Sequence, residues 1–471
     1  MKHPATVLHG KHIALVGFGK ESIALARFAA MAGAASITAT DSSSAEKLAP
    51  ALAAVSDLPV PVRLLAGATN PSAWETADVI FVSPGITPGF TINLPGIAEA
   101  AERGAIISNH TQLLFEYAPV PIVAITGSAG KTTTTTLLGE MLQRQGGRHV
   151  YVGGNMGIPL INEVAKMAPE DIIVLEISEV QLARLHASPH IGAITNITPD
   201  HYDRYPTFAD YVRAKRQIAR DMQPTDFAIL NQDNAPSRES QAETAAQCLF
   251  VSQREQVQMG ADVRDGAFWL HLPGQPSVRL AALGDTKLPG THNIENILFA
   301  SVAAALVGAA PEAITEAICT FTGVQHRIQF IAEKQGVRYY SDSIATAPNR
   351  MIAALRSFSD PILLIAGGKD KNLPWDEAAS EIVRRVRVIA VLGVSAPIIL
   401  EAIAQAQQQI PIAEQMLERI EQVATIEAAT QTLMQSAHSG EVVLLSPGCA
   451  SHDMFSGYEE RGQRFIDTVL A

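Results

Sequence analysis

Residues Pro121-Ile-Val-Ala-Ile-Thr-Gly-Ser-Ala-Gly-Lys-Thr-Thr133 predict the local structure from which the rest of the fold can be inferred. Its β-branched apolar run predicts a strand, and the glycines, lysine and hydroxyl residues that follow predict a tight turn into a helix. Gly127 and Gly130 would let backbone N–H groups approach phosphate oxygens at the positive end of that helix. Ile125 stands where the strict phosphate-loop pattern has its first glycine, so an ordinary strand-to-helix turn is the alternative.

This loop predicts the binding of a nucleoside triphosphate together with Mg²⁺. The Lys131 ammonium group can reach the β- and γ-phosphates, and the Thr132 hydroxyl can bind the metal ion. The residues expected to contact this nucleotide, which the family resemblance given below implies to be ATP, are Gly127, Ser128, Ala129, Gly130, Lys131, Thr132 and Thr133.

The composition is that of an enzyme without a nucleic-acid or membrane surface. At 471 residues with 47% hydrophobic content, the length suggests about three domains. The 47 acidic residues outnumber the 35 basic ones, so we expect no nucleic-acid partner. The first ten residues lack a signal pattern and the longest apolar run, 298–310, is too short to span a bilayer, so we expect a cytoplasmic protein without membrane insertion. Three widely separated cysteines suggest a reducing compartment and neither a disulfide nor a zinc framework.

Short β-branched strands alternate with Ala-, Leu- and Glu-rich helical stretches along the chain, which predicts an α/β fold with largely parallel sheets. Alternation of apolar and polar residues between Val251 and Leu280 predicts antiparallel strands inserted in the middle domain, here called the antiparallel excursion. Breaks near 117–121 and 322–326 predict three domains over residues 1–109, 110–325 and 326–471. The predicted strands are His12–Val16, Ser36–Thr40, Val79–Val82, Ile122–Thr126, Ile172–Ile177, Ala193–Ile197, Phe227–Leu230, Ile362–Ala366, Val388–Leu392 and Val442–Leu445.

The first domain opens with the glycine pattern Val16-Gly-Phe-Gly-Lys-Glu-Ser22, which suits a diphosphate at a helix N-terminus. Asp41, after the next strand, can hold a ribose hydroxyl, and Ser83-Pro-Gly-Ile86 adds a second turn at the same sheet edge. NAD, FAD and a UDP-sugar fit equally well. The candidate residues are Gly17, Phe18, Gly19, Ser22, Asp41, Ser83, Pro84 and Gly85.

Ionisable residues end successive strands of the middle domain. Glu176 and His201 follow neighbouring predicted strands, and their carboxylate and imidazole could complete the coordination of Mg²⁺ beside Thr132. A solvated loop histidine is the alternative for His201. For Lys215, on a predicted helix, residue chemistry alone indicates a solvated surface cation.

Seven motifs in order resemble those of the Mur ligases. They are Gly127-Ser-Ala-Gly-Lys-Thr132, Gly153-Gly-Asn-Met-Gly157, Leu175-Glu-Ile-Ser178, Asn196-Ile-Thr-Pro-Asp-His-Tyr-Asp-Arg-Tyr205, Gly290-Thr-His-Asn-Ile-Glu-Asn296, His326-Arg327 and Gly367-Gly-Lys-Asp-Lys371. The resemblance implies three α/β domains: a Rossmann-like domain for the UDP moiety, a central phosphate-loop ATPase with a mostly parallel sheet, and a mobile Rossmann-like carboxy-terminal domain.

The same resemblance assigns roles residue by residue. Lys131, Glu176, His201 and Lys215 would be catalytic, and the metal ligands for two Mg²⁺ ions, replaceable by Mn²⁺, would be Thr132, Glu176, His201 and a carbamylated Lys215. Further ATP contacts would be Asn293, Asn296, Arg327 and Asp342. The sugar-peptide substrate would contact Asn155, Ser178 and Gln181, and the incoming amino acid Thr346, Lys371, Ser451 and Tyr458.

The motifs Ser446-Pro-Gly-Cys-Ala-Ser451 and Glu460-Arg-Gly-Gln-Arg-Phe465 resemble the family members that join glutamate to UDP-N-acetylmuramoyl-L-alanine. The implied activity is ATP-dependent amide ligation through an acyl phosphate in peptidoglycan precursor synthesis, by a monomer. A folylpolyglutamate synthetase-like ligase, which lacks the first domain, and a non-catalytic nucleotide-binding protein, which needs no metal ligands, are more distant alternatives.

Departures from the family pattern affect the expected specificity. Ile344 and Ala347 stand where the D-glutamate enzymes have lysine and asparagine, so we expect D-glutamate as the substrate with L-glutamate as the alternative. Glu179 stands where the family has serine.

Overall fold

A computed structural model of the chain describes residues 7–86, 92–155, 159–202 and 204–471. Met156, Gly157 and Asp203, which belong to the motifs quoted above, lie outside the described residues. The chain forms two compact units, one of Met1–Leu283 with Glu295–Ala317 and one of Gly284–Ile294 with Ile318–Ala471. The predicted α/β class is confirmed, whereas the boundaries of three domains stay a prediction.

The strands, numbered in chain order, are β1 His12–Val16, β2 Ser36–Asp41, β3 Val62–Ala66, β4 Val79–Val82, β5 Ile106–Ser108, β6 Ile122–Thr126, β7 Val150–Gly154, β8 Ile172–Glu176, β9 Ile191–Ile194, β10 Phe227–Asn231, β11 Gln247–Ser252, β12 Gly260–Arg264, β13 Ala267–His271, β14 Val278–Ala282, β15 Gln329–Lys334, β16 Val337–Ser341, β17 Ile362–Gly367, β18 Val386–Leu392, β19 Arg419–Gln422 and β20 Val442–Leu445.

The helices are α1 Lys20–Met31, α2 Ala45–Ala53, α3 Ile97–Glu102, α4 His110–Tyr117, α5 Lys131–Gln145, α6 Glu179–Leu182, α7 Phe208–Arg220, α8 Ala235–Arg238, α9 His292–Leu306, α10 Pro311–Thr320, α11 Pro348–Leu355, α12 Asp376–Arg385, α13 Ala396–Gln409, α14 Ile426–Ser436 and α15 Tyr458–Leu470. In the described part of the chain, each helix is too short or too polar to cross a membrane.

The first unit contains two sheets. A five-stranded sheet has the order β3-β2-β1-β4-β5 with every pair parallel. Because β1 and β4 are neighbours, their carboxyl ends place the glycine loop after β1 beside the turn after β4. One hydrophobic core extends from the helices of this sheet to the second sheet of the same unit, through residues such as Leu25, Leu113 and Ile161.

The nine-stranded sheet of the first unit has the order β14-β13-β12-β11-β10-β9-β6-β8-β7. It is parallel from β7 to β12, and β13 and β14 form the predicted antiparallel excursion. Every residue of β6, β8 and β9 is buried, as expected for strands covered on both faces. The phosphate loop therefore leaves the sheet from a rigid strand, β6, between β9 and β8.

One strand prediction was misplaced. A strand was expected over Ala193–Ile197, but β9 ends at Ile194. The Thr195 hydroxyl donates to the carbonyl of Ala129, and the Asn196 carbonyl accepts from Ser128 N–H. Thr195 N–H still donates to the Thr126 oxygen of β6 at 2.9 Å, and the chain beyond it follows the phosphate loop.

The second unit contains a six-stranded sheet in the order β15-β16-β20-β17-β18-β19, parallel except for β15. Arg461 on α15 is buried and donates to the carbonyl oxygens of Ser343 at 2.8 Å and Cys449 at 3.1 Å. Those two residues follow β16 and β20, so one guanidinium group links the loops at the carboxyl edge of the sheet.

Candidate active site

The phosphate loop adopts a conformation that requires both of its glycines. Gly127 has φ of +154° and Gly130 has φ of +85°. A β-carbon at Gly127 would overlap the hydroxyl oxygen of Thr195, and one at Gly130 would overlap Oδ1 of Asn296. The loop is therefore fitted against its neighbours with no room for side chains at these two positions.

Asn196 fixes the loop between the glycines. Its backbone oxygen accepts from Ser128 N–H at 2.8 Å and its Oδ1 accepts from Ala129 N–H at 2.9 Å. The N–H groups of Ser128 and Ala129 therefore already donate to Asn196. The first N–H groups of a helix have no partner within the helix, so those of Lys131, Thr132 and Thr133 at the start of α5 can donate to phosphate oxygens. Asn196 was not predicted as a site residue, although it opens one of the motifs that resemble the Mur ligases.

Two lysines converge on one carbonyl oxygen of the loop. Lys131 Nζ and Lys215 Nζ each donate to the Gly127 oxygen at 2.9 Å. Lys215 on α7 is completely buried, so its interpretation as a solvated surface cation is wrong. Burial, followed by the charge of Lys131, lowers the pKa of Lys215 to about 7, while Glu179 opposes this decrease.

Glu176 ends β8 beside the loop and is held by Asn155. Asn155 Nδ2 donates to Glu176 Oε1 at 3.1 Å. Glu176 Oε2 is buried without a hydrogen-bond partner in the described structure. A buried, unsatisfied carboxylate oxygen fits a divalent cation, which would compensate its charge. Among the described residues, no group of three or more His, Cys, Asp or Glu side chains is placed to hold a metal ion, and the metal contacts expected of Thr132, Glu176, His201 and Lys215 stay predictions.

Glu179 gathers three basic side chains close to the loop. Its Oε1 lies 3.6 Å from both His201 Nε2 and Arg204 Nη1, and its Oε2 lies 3.6 Å from Lys215 Nζ. The His201 imidazole thus lies against the Glu179 carboxylate and is not a fully solvated loop histidine. Glu179 and Arg204 were not predicted as site residues, although Glu179 was visible in the sequence as a departure from the family pattern.

At the edge of the five-stranded sheet, the two predicted turns meet. A β-carbon on Gly17 would lie 3.0 Å from Ser83 Cβ, and Ser22 Oγ donates to the Gly17 oxygen at 2.5 Å. The Asp41 carboxylate accepts from Phe18 N–H and Ser43 N–H, both at 2.8 Å. Although burial raises the pKa of Asp41, these hydrogen bonds bring it below its usual value. Asp41 therefore holds the Gly17–Gly19 loop in place, and its contact with a ribose stays a prediction, as do those of Pro84 and Gly85.

The side chains of Ser178 and Gln181 contact each other and α1. Gln181 Oε1 accepts from Ser178 Oγ at 3.0 Å, and Gln181 Nε2 donates to Glu21 Oε1 at 2.8 Å. Burial raises the pKa of Glu21, and the hydrogen bond from Gln181 opposes this effect. These contacts join the two sheets of the first unit, and the substrate contacts expected of Asn155, Ser178 and Gln181 stay predictions.

In the second unit, the residues expected to bind the amino acid lie on adjoining loops. Lys371 Nζ donates to Thr346 Oγ1 at 2.9 Å. Lys369 and Ala450 exchange backbone hydrogen bonds of 2.8 and 2.9 Å, which join the loop of Lys371 to that of Ser451. Ser343 Oγ donates to the carbonyl of Tyr458 at 2.7 Å. Thr346, Lys371, Ser451 and Tyr458 therefore lie on segments that meet at the carboxyl edge of β16, β20 and β17.

Asp342 is buried at the same edge of the second unit. It accepts from Ser446 Oγ at 2.8 Å and from Ile328 N–H at 3.2 Å. Burial raises the pKa of Asp342 to about 7, against the effects of these hydrogen bonds and of Arg327.

Asn293 donates to the Pro289 oxygen at 2.6 Å. The ATP contacts expected of Asn293, Asn296, Arg327 and Asp342 stay predictions.

We expect Gly130→Ala to abolish nucleotide binding, because its β-carbon would meet Asn296 and force the loop to move. Gly147→Ala is the matched control, since Gly147 has a similar φ of +80° and nothing within 4 Å of a β-carbon. Both variants carry the left-handed backbone cost of roughly 1–2 kcal/mol. Titration with a fluorescent ATP analogue should show loss of binding in Gly130→Ala alone, and equal affinities would contradict the described loop.

Asp342→Asn should change how stability depends on pH. A carboxyl group with a raised pKa keeps its proton in the folded state to a higher pH than in the unfolded state. Its contribution to the free energy of unfolding is therefore complete below about pH 4 and is lost as pH rises to about 7. Urea unfolding of the free protein should therefore show a larger gain for Asp342→Asn at pH 8 than at pH 5. The control is Asp467→Asn, an exposed aspartate. A pH-independent effect of Asp342→Asn would rule out a shifted carboxyl group.

Comparison with known proteins identifies the family. Residues 125–304 match the Mur ligase middle domain and residues 326–449 match the Mur ligase, glutamate ligase domain. The UDP-N-acetylmuramoylalanine–D-glutamate ligase of Symbiobacterium thermophilum is 40% identical over 97% of both chains. The protein of that name from Acetivibrio thermocellus is 35% identical over 98% of this chain and 97% of its own.

A solved structure agrees with the fold. The UDP-N-acetylmuramate–alanine ligase of Thermotoga maritima covers 98% of this chain and 99% of its own, with a TM-score of 0.56 at 16% identity. The sequence relatives and the two domain matches place the chain in the Mur ligase family, in the branch of the UDP-N-acetylmuramoylalanine–D-glutamate ligases.

Proposed function

We propose that this protein is an ATP-dependent ligase that joins D-glutamate to UDP-N-acetylmuramoyl-L-alanine in peptidoglycan precursor synthesis. The observation that carries the proposal is the loop in which Lys131 and Lys215 share the Gly127 oxygen. Relatives 35–40% identical over nearly the full length bear the name of this activity. ATP and a nucleotide-linked substrate favour the cytoplasm as the location of the reaction.

The reaction must overcome the low reactivity of a carboxylate toward an amine. We infer that the alanyl carboxylate attacks the γ-phosphorus of ATP, which releases ADP and forms an acyl phosphate. The uncharged amine of glutamate then attacks the acyl carbon, phosphate leaves, and the amine loses a proton to give the amide. One ATP is consumed for each bond, and water must be excluded while the acyl phosphate exists.

The loop residues supply the charges that phosphoryl transfer needs. Lys131 Nζ, which rests on the Gly127 oxygen, would turn to the β- and γ-phosphates, while the N-terminus of α5 would hold their oxygens. Glu176, oriented by Asn155, would hold Mg²⁺ together with Thr132. When bound, Mg²⁺ or Mn²⁺ offsets the charge that develops on the transferring phosphoryl group.

The other substrates would lie at the carboxyl edges of the two remaining sheets. The Gly17–Gly19 loop, held by Asp41, would bind the UDP diphosphate through backbone N–H groups. Lys371 and Thr346, already hydrogen-bonded to each other, would bind a carboxylate of glutamate, helped by Ser451.

Ile344 is the specific observation that favours a second candidate substrate. It replaces a lysine of the D-glutamate enzymes, so the pocket has one cation fewer than the family pattern. L-glutamate is therefore the alternative.

The test is ADP release with UDP-N-acetylmuramoyl-L-alanine and each glutamate enantiomer at equal concentration. We expect release that requires both substrates and is faster with D-glutamate. Preference for the L form would contradict the assigned amino acid and leave the ligase chemistry intact, whereas release with neither would reject the proposed function.

Lys371→Ala should raise the KM for glutamate by about tenfold or more, because loss of one charged hydrogen bond costs about 1.5–3 kcal/mol. Lys334→Ala is the matched control, since Lys334 ends β15 beside the hairpin, at the opposite edge of the sheet from the candidate site. Steady-state rates at varied glutamate check the effect. A KM unchanged in both variants would remove Lys371 from the amino-acid site.

A further inference from the structure

Glu21 is a partly buried carboxylate that the proposed mechanism does not use. It lies in the first turn of α1, the helix that follows the Gly17–Gly19 loop. A carboxylate directed at that loop would repel a bound diphosphate. Glu21 instead accepts a hydrogen bond of 2.8 Å from Gln181, which follows β8 of the other sheet in the first unit. Glu21 therefore links the segment after β1 to the segment after β8.

The hydrogen bonds of Gln181 fix which way its side-chain amide faces. Its Oε1 accepts from the backbone N–H and from the hydroxyl of Ser178, both at 3.0 Å. Its Nε2 donates to Glu21 Oε1. A backbone N–H can only donate and an ionised carboxylate can only accept, so an amide facing the other way would lose both contacts.

The same hydrogen bonds determine what Gln181 can offer to a ligand. A side-chain amide has two acceptor lone pairs and two N–H donors. Ser178 occupies both lone pairs and Glu21 takes one N–H, so within the described part of the chain the second Nε2 hydrogen has no acceptor. Gln181 is 5% exposed, and a buried donor without a partner is costly. Gln181 can therefore offer a ligand one N–H, which requires an oxygen acceptor.

We propose that Glu21 is a positioning residue for the UDP-linked substrate. It acts through Gln181, whose amide it holds so that the remaining N–H faces an oxygen of the sugar-peptide portion. The first turn of α1 and the start of α6 are then held together along the path from the diphosphate loop to Glu176. The inference rests on the ligase proposed above and on its UDP-linked substrate.

The first test is binding of UDP-N-acetylmuramoyl-L-alanine, measured by isothermal titration calorimetry without ATP or glutamate. Glu21→Ala should weaken binding by about fivefold or more, because the Gln181 amide loses an acceptor that holds it. Glu21→Gln should bind as the wild type does, since its side-chain oxygen can still accept from Gln181. The matched control is Glu46→Ala, which removes an exposed glutamate from the first turn of α2. Unchanged binding in Glu21→Ala, or an equal loss in Glu21→Ala and Glu21→Gln, would overturn the proposal.

A double-mutant cycle tests whether Glu21 acts through Gln181. Gln181→Ala should weaken binding, and Glu21→Ala added to it should cause no further loss, because the amide that Glu21 holds is then absent. Gln181→Glu keeps the side-chain shape but has no N–H, so it should bind at least as weakly as Gln181→Ala. Additive losses in the double variant, or wild-type affinity in Gln181→Glu, would overturn the inference.

Steady-state kinetics distinguish positioning of the substrate from a general loss of structure. Glu21→Ala should raise the KM for UDP-N-acetylmuramoyl-L-alanine and leave the KM for ATP unchanged, whereas a parallel rise of both would overturn the proposal. If thermal unfolding shows that Glu21→Ala does not fold, Glu21→Gln and Gln181→Glu carry the test. A wild type that binds the UDP-linked substrate but releases no ADP would reject the ligase and not the role of Glu21. A wild type that does not bind this substrate would overturn both.

Discussion

The carbonyl oxygen of Gly127 is the point on which the candidate active site depends. It accepts hydrogen bonds from two lysines, at positions 131 and 215, each at 2.9 Å. Gly127 can adopt this backbone conformation because it has no β-carbon, which would overlap the Thr195 hydroxyl oxygen. This one conformation determines where α5 starts and where the Lys131 and Lys215 ammonium groups lie. It also determines the contact between the loop and the end of β9.

Two cations at one carbonyl require nearby negative charge, and the first unit provides it from strand β8 and the short helix after it. Glu176 keeps one oxygen buried without a partner, while Glu179 is surrounded by basic side chains. The two carboxylates therefore differ in availability: one is poised for a cation that is yet to bind, and the other already compensates charges of the protein. This difference is what distinguishes the site from the family pattern.

The sequence predicted the features that depend on local chemistry. The strand–glycine–lysine–helix order identified the phosphate loop, and nearly all predicted strands match observed ones to within one or two residues. Contacts set by tertiary packing were missed: Asn196 bonds to Ala129 across 67 residues, and Asp41 directs its carboxylate to Phe18 N–H. The burial of Lys215 was also beyond the sequence, because the polar residues of α7 indicate a surface helix and do not reveal that one lysine points into the protein.

We propose that the protein activates a carboxylate by phosphorylation before it forms an amide. Incubation of UDP-N-acetylmuramoyl-L-alanine, labelled with ¹⁸O in the alanyl carboxylate, with ATP and D-glutamate tests this directly by mass spectrometry of the released phosphate. An acyl phosphate requires that one carboxylate oxygen leave with the phosphoryl group, so each phosphate formed should carry one ¹⁸O. Amide product accompanied by phosphate without ¹⁸O would exclude an acyl phosphate intermediate.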